Sequence, residues 1–493
     1  MQQLSPIMFV GTCSDAGKSV INAAMCRILK LDGYHPAPYK AQNMSLNSYA
    51  TPEGFEIGRA QATQAEACGI ECHTDMNPVL LKPTGEKLSQ LVLNGKPIGN
   101  RSAYEYIRSD NNNYLFDEAF AAFQRLSQRY SPIVLEGAGS IAELNLKKRD
   151  IVNMNMAIRT NAAVYLVADI ERGGVFASVY GSIALLEPEE KALIKGIIIN
   201  KFRGDINLFD DGKKILEELT GIPVTGVIPY FKDIYIEDED SVGLDKKNNR
   251  ASEDTINVAV VLLNQIANFT DFNALEQDNR VNVYYSSDVN ELRKADILII
   301  PGSKNTLADL SYIKETGIAD VITEAHQQGK TVIGICGGYQ MMGQVVKDPD
   351  GLEGSVTELS GLQLLPVETT ITADKETIQT QFKFGQDGSP CQGYEIHMGR
   401  TQVLDTVQPL AHKEDGSTEG VYLHQKCWGT YIHGVLDNKA VIDHLLAPYT
   451  DDPGQPFSYK EFKEREYNRL ANHVREYLDI DAIYKTMQQT AHQ

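Results

Sequence analysis

Residues 11–19 read GTCSDAGKS. The stretch comes close to the phosphate-loop pattern G-x-x-x-x-G-K-[ST], but five residues, not four, separate Gly11 from Gly17. Its surroundings decide how to read it. PIMFVGT (6–12) is a short apolar run ahead of the loop, and SVINAAMCRILKLDGY (19–34) follows it with helical spacing. A buried strand, a glycine turn and a helix N-terminus present backbone N–H groups and a positive dipole end to an anion. Gly11, Thr12, Asp15, Ala16 and Gly17 are therefore expected to wrap the phosphates of ATP, with Lys18 reaching the outer ones and Ser19 helping to hold Mg²⁺.

The same strand type recurs outward from the loop. SPIVLEGAG (131–139), AAVYLVADI (162–170) and KGIIINKF (195–202) are short, apolar and rich in β-branched residues, as buried parallel strands are. Helical stretches between them predict right-handed βαβ units and a doubly wound parallel sheet over residues 1–236. Glu136 then falls at a strand's carboxyl end, where open α/β sheets bind ligands, and could ligate Mg²⁺. Asn200 ends another strand, as a base-reading amide or a turn-former.

Residues 237–255, EDEDSVGLDKKNNRASEDT, are polar and aperiodic and read as a linker or long surface loop. A second alternation follows in INVAVVLLN (256–264), VNVYYSSD (281–288), ADILIIPGS (295–303) and TVIGICGG (331–338), giving a second α/β domain over 256–448. In the tail, 449–493, Tyr467, Leu470, Val474, Tyr477 and Leu478 recur at helical spacing and predict a docked amphipathic helix.

The second domain carries a nucleophile signature. VIGICGGYQMMG (332–343) sets Cys336 on a turn from an apolar strand into a helix, where the positive helix end favours thiolate. Gly337 could donate its N–H to an oxyanion, and Gly302 or Ser303, in IPGSKNT (300–306), could supply the second donor. WGTYIHGVLDN (428–438) offers His433 as the base that a cysteine nucleophile needs.

Bulk properties bound the partners. The chain has 493 residues, 42% hydrophobic and 23% charged, in the range of globular domains. A net charge of −20 opposes a nucleic-acid partner. No apolar run is long enough to span a bilayer, and the N-terminus has no signal-peptide pattern, so a cytoplasmic protein is expected, without a membrane partner. Seven cysteines make no disulfide framework. Cys68 and Cys72, followed by His73, lack the second ligand pair of a zinc site, and a lone His397 reads as structural.

Several stretches carry family resemblances. The longer loop resembles the dethiobiotin-synthetase branch of P-loop proteins, which use ATP to activate carboxylates or carbamates. The Cys336–His433 arrangement resembles class I, triad-type glutamine amidotransferases with a flavodoxin-like fold, in which Gln340 matches a position that helps hold glutamine. That family's usual Glu two residues after His is Val435 here, which leaves a Cys–His dyad or another carboxylate such as Asp437. YKAQNMSLNSY (39–49), EIGRAQATQAEACG (56–69), MNPVLLKP (76–83), DIERGGVFAS (169–178), NKFRGD (200–205), NFTDFNAL (268–275), PGSKNT (301–306) and GYEIHMGRT (393–401) together resemble the cobyric acid synthase family. The first three separate the chain from the related a,c-diamide synthases. The resemblance implies amidation of the b, d, e and g carboxylates of adenosylcobyrinic acid a,c-diamide with ATP, Mg²⁺ and L-glutamine. It also implies that Asn200 serves the adenine and Glu136 the metal, and that Lys40, Gln42 and Asn43 contact substrate or phosphate. Asp150, in KKRDIVNM (147–154), is either a helix cap or a group that positions substrate or acyl phosphate.

Overall fold

The computed structural model describes residues 4–83, 88–102, 111–239, 243–244, 247–385 and 388–491. The first domain is built on six parallel strands: β1 (Ile7–Gly11), β2 (Ala37–Tyr39), β3 (Ile133–Glu136), β4 (Ala163–Asp169), β5 (Ile194–Phe202) and β6 (Val224–Pro229). Their order is β6-β5-β4-β1-β3-β2, so β1 lies inside the sheet between β3 and β4. Every residue of β1, β3 and β4 is buried, which is why these strands are apolar without interruption.

The two faces of the sheet separate by alternation. Ile7 and Phe9 join Ile21 and Met25 of α1 (Lys18–Leu31), whereas Met8 and Val10 join Leu135 and Val164 on the opposite side. A second helix, α2 (Arg59–Cys68), lies beside α1 and is almost wholly buried.

The second domain has β7 (Ile256–Val261), β8 (Val281–Ser286), β9 (Ile297–Ile300) and β10 (Thr331–Ile335), a hairpin of β11 (Val367–Phe384) and β12 (Ser389–Val403), then β13 (Val421–His424), β14 (Cys427–Thr430) and β15 (Ile432–His433). The main sheet runs β8-β7-β9-β10-β14-β13, parallel except for β13 at its edge. Between β9 and β10 stands α3 (Thr306–Glu315), and α4 (Gly337–Met342) follows β10. The long hairpin is absent from the sequence reading. Its strands mix threonine, charge and isolated apolar residues and are buried unevenly, so no clean alternation marks them.

The expected tail helix is present and docked, with a second helix after it. The tail forms α5 (Tyr459–Tyr477) and α6 (Ile480–Ala491), and both dock on the first domain, back across the chain. Leu470, Val474, Ile483 and Met487 share a core with Ile7, Phe9 and Met25. The stretch 237–255, read as a linker or long surface loop, is buried at its start. Glu237 is buried, accepts from Arg59 Nε and Nη2 at 2.9 and 2.8 Å, and accepts from Thr63 and Tyr459. Acidic residues look solvated in sequence, but a buried guanidinium supplies what Glu237 needs to enter the interior.

The domains meet through first-domain residues 48–56. Ser48 N–H donates to Asn268 Oδ1 at 2.9 Å, and Gln379 donates to Ala50 O at 3.0 Å. The Tyr49 and Tyr394 rings meet edge-on with centroids 4.5 Å apart.

Candidate active sites

The loop after β1 turns into α1 at Gly17, which has φ 94° and caps the helix. A Cβ on Gly17 would sit 2.1 Å from Asn200 Nδ2, so the close approach requires glycine. Asn200 Nδ2 donates to Ala16 O at 2.8 Å and braces the loop from the end of β5. Thr12 N–H is held by Val167 O, and Asp15, with φ 56°, offers its carbonyl to Lys201 at 2.5 Å. Lys18 Nζ donates to Cys13 O and Gly139 O, each at 3.0 Å. Burial lowers its pKa against the pull of Glu136.

Beneath the loop lies a knot of charge. Ser19 Oγ donates toward Glu136 Oε1 at 2.8 Å and Glu239 Oε2 at 2.7 Å, geometries that the single hydroxyl proton must share. Lys40 Nζ donates to Glu136 Oε1 at 2.8 Å and to Glu239 Oε1 at 2.7 Å. Gln64 Nε2 donates to Glu136 Oε2 at 2.6 Å. Burial opposes the charge on Lys40, but the two carboxylates outweigh it and raise the lysine's pKa. Burial opposes the charge on Glu239 too, and Lys40 overcomes it, lowering the carboxyl. The knot brings a hydroxyl and two carboxylates together at a helix N-terminus. These hard oxygen donors suit Mg²⁺ beside a nucleotide.

A cavity of about 440 Å³ opens next to the loop. Ser14 and Gly139 line it from the loop side, Gln42, Met44 and Leu81 from the 39–83 region, and Asp150 from beyond. Asp150 Oδ1 accepts from the N–H groups of Val152 and Asn153 at 2.8 and 3.1 Å, so it anchors the turn while lining the cavity. Burial raises its pKa despite those hydrogen bonds. Of the other expected substrate residues, Gln42 faces the cavity and Lys40 belongs to the knot. Asn43 is buried, donating to Gln61 Oε1 at 3.0 Å.

In the second domain Cys336 stands between β10 and α4 with φ 51° and ψ −109°, a conformation that non-glycine residues rarely adopt. The glycines around it make the turn possible: a Cβ on Gly338 would lie 1.9 Å from Ile300 O, and one on Gly337 would lie 2.8 Å from Ser303 N. The Ser303 backbone nitrogen is therefore packed close against Gly337. Asp309 accepts from Ser303 Oγ at 2.5 Å and fixes that turn, and burial raises its carboxyl to about 6. Cys336 Sγ lies 3.6 Å from Ile396 O.

His433 completes the group. Its Nδ1 is 2.7 Å from Asp271 Oδ2, and Gly434 N–H donates to Asp271 Oδ1 at 2.9 Å. Ionised Asp271 can only accept, so Nδ1 carries the proton and Nε2 is turned toward the thiol side. Tyr394 stacks on the ring with centroids 5.3 Å apart. Burial would lower the imidazole pKa, but Asp271 and Cys336 together raise it to about 10. Gln340 lines the same pocket, accepts from Thr306 Oγ1 at 2.8 Å and donates to Tyr431 OH at 3.3 Å. Gly302 lines it too, and a Cβ there would come within 3.3 Å of His433 Cε1.

Comparison with known proteins agrees with this two-site architecture. Residues 7–242 match the CobQ/CobB/MinD/ParA nucleotide binding domain, and residues 257–441 match the CobB/CobQ-like glutamine amidotransferase domain. A cobyric acid synthase of Parabacteroides distasonis is 60% identical over 492 residues, covering 99% of both chains. Cobyric acid synthases of Bacteroides fragilis and Phocaeicola vulgatus are 58% and 57% identical, again over 99% of each chain. The chain belongs to the cobyric acid synthase family. It is an ATP-dependent glutamine amidotransferase with both halves of the enzyme in one polypeptide.

Within this cobyric acid synthase family member, two functional candidates escape the sequence reading. Neither a Cys–His dyad nor Asp437 describes the glutaminase site, because Asp271 holds the ring. Asp437 lies by Gly434, and burial raises its carboxyl to about 7. Asp271 sits inside the quoted stretch NFTDFNAL, on the short helix Phe269–Phe272, but nothing in its spacing links it to His433. Glu239 escapes because it stands in the acidic run EDED. His397 Nδ1 lies 2.9 Å from Gly399 O, its ring stacks on Tyr431, and it lines the Cys336 pocket.

Proposed function

We propose that this member of the cobyric acid synthase family amidates the b, d, e and g carboxylates of adenosylcobyrinic acid a,c-diamide, using one ATP and one glutamine per carboxylate. One observation carries the reading. The region that distinguishes the family from the a,c-diamide synthases, residues 39–83, supplies Gln42, Met44 and Leu81 to the cavity beside the phosphate loop.

In the first domain a substrate carboxylate oxygen attacks the γ-phosphorus of ATP. The bond to the β–γ bridging oxygen breaks, ADP leaves, and an acyl phosphate forms. The loop N–H groups and Lys18 bind the phosphates, and Lys18 must leave Cys13 O and Gly139 O to do so. Ser19, Glu136 and Glu239 would hold Mg²⁺, which when bound neutralises charge on the phosphate oxygens. Lys40, held between the two glutamates, keeps the knot from repelling the incoming phosphates.

In the second domain the Cys336 thiolate attacks the carboxamide carbon of glutamine. The N–H groups of Gly337 and Ser303 stabilise the oxyanion, and His433 passes a proton to the departing ammonia. Water then hydrolyses the thioester to glutamate. Ammonia attacks the acyl phosphate, phosphate leaves and a primary amide remains. Asp271 keeps His433 oriented and protonated at Nδ1 throughout.

A cytoplasmic location fits the seven free cysteines, one of which must stay reduced to act. No helix among the described residues is long and apolar enough to cross a membrane. The test is a competition between acceptors. With ATP, Mg²⁺ and glutamine, the a,c-diamide should be amidated and cobyrinic acid's a and c carboxylates should not. Preferential amidation of a and c would overturn the assignment.

A further inference from the structure

The pocket in front of Cys336 holds more positive charge than amide hydrolysis itself requires. Lys82, Lys304, Lys375 and Glu353 line it together with Gln340. Two of the lysines share one carboxylate. Lys82 Nζ donates to Glu56 Oε1 at 2.6 Å and to Ser48 Oγ at 2.9 Å, and Lys375 Nζ donates to the other oxygen of Glu56.

Lys304 is different. Among the described residues no carboxylate oxygen lies within 4.0 Å of its ammonium. Burial lowers its pKa, and the nearby Lys375 and Lys82 lower it further, against the opposing pull of Glu353 and Glu56. A half-buried cation beside two others, with no salt bridge of its own, gains from a ligand that brings a carboxylate. Lys304 directly follows Ser303, whose backbone nitrogen lies close to Gly337 at the nucleophile turn. In the same pocket, Glu353 has one carboxylate oxygen on Thr306 N–H at 2.7 Å, and burial raises its pKa against the pull of Lys304. The pocket therefore presents an ammonium that forms no salt bridge, and a carboxylate, beside the nucleophile. Glutamine carries the complementary pair, an α-carboxylate and an α-ammonium, at the end remote from its amide.

We propose that Lys304 is the residue that makes this pocket specific for glutamine, its ammonium binding the substrate α-carboxylate while Glu353 faces the α-ammonium. The proposal rests on the reading of Cys336 as the glutaminase nucleophile. It assigns binding roles to two residues that take no part in bond making.

Three amides test it: glutamine, 4-aminobutanamide (glutamine without its α-carboxylate) and glutaramate (glutamine without its α-ammonium). Ammonia release by the full chain is measured for each, with wild type, Lys304→Met, Lys304→Arg and Glu353→Gln. Loss of one charge-assisted contact corresponds to about a 10- to 100-fold change. Lys304→Met should raise the glutamine KM by about that factor, change kcat much less, and collapse the preference for glutamine over 4-aminobutanamide by a similar factor. Lys304→Arg keeps the charge and should retain most of the preference, so a loss confined to Lys304→Met reports charge and not folding. Glu353→Gln should erode the preference for glutamine over glutaramate. An undiminished preference for glutamine over 4-aminobutanamide in Lys304→Met overturns the proposal, as does an equal loss on all three amides. Wild-type protein that releases no ammonia from glutamine overturns the glutaminase reading itself.

Discussion

His433 Nδ1 lies 2.7 Å from Asp271 Oδ2, although 162 residues separate them in the chain. The contact joins the end of β15 to the short helix after β7 and turns Nε2 toward the thiol. Replacing Asp271 by Asn removes the charge and lets Nδ1 face a donor. Asp271→Asn should therefore lower glutamine-dependent kcat by about 100-fold or more. Steady-state glutamate release checks this, with ammonium-dependent amidation as the comparison, since Asp271 lies outside the phosphate-loop site. Equal loss with both nitrogen sources would contradict the assigned role.

The same contact sets a pH dependence. Burial alone would depress His433, but Asp271 and Cys336 hold it up at about 10, against an ordinary value of about 6.5. A pKa raised on folding gives stability that is fully present below about pH 6.5 and is lost as pH rises through the folded value, about 10. Raising pH from about 7 to about 10.5 should cost the wild type more stability than Asp271→Asn. Denaturant midpoints of both proteins across that range measure the difference.

Glu239 shares Ser19 and Lys40 with Glu136 beneath the phosphate loop. Glu239→Gln keeps the shape but removes a charge that holds Lys40 and serves the proposed Mg²⁺ site. Amidation should fall by about 10- to 100-fold with either nitrogen source, and the Mg²⁺ requirement should rise. A variant with unaltered Mg²⁺ dependence would remove Glu239 from the site.

Glu56 is buried and receives Lys82 from its own domain and Lys375 from the other. Burial would raise its carboxyl, but Lys375 and Lys82 drive it well below the usual range. Stability from this group is present above the ordinary carboxylate pKa and is lost only under strong acid. Glu56→Gln leaves two buried lysines poorly compensated and should cost about 3–5 kcal/mol. Chemical denaturation measures the loss, and earlier proteolysis between the domains should accompany it.

Sequence and structure agree most closely where local chemistry is dense. β1, its glycine loop and α1 form a contiguous strand–turn–helix, and an apolar run ending in Cys336-Gly337-Gly338 fixes the nucleophile turn. Asp271 lies within NFTDFNAL but meets His433 only through long-range packing. Glu237 and Glu239 look solvated because their neighbours are acidic, and their buried cationic partners come from distant segments. The stripe of Tyr467, Leu470 and Val474 announced a docked helix, but an apolar face does not say which domain will cover it.

The most direct test of the central claim follows corrinoid masses during incubation of the a,c-diamide with ATP, Mg²⁺ and either glutamine or an ammonium salt. Wild-type protein should add up to four amides from either source. Cys336→Ala should add them from ammonium alone, and Lys18→Ala should add none from either. No amidation by the wild type from either nitrogen source would contradict the account, as would glutamine-dependent amidation that survives in Cys336→Ala.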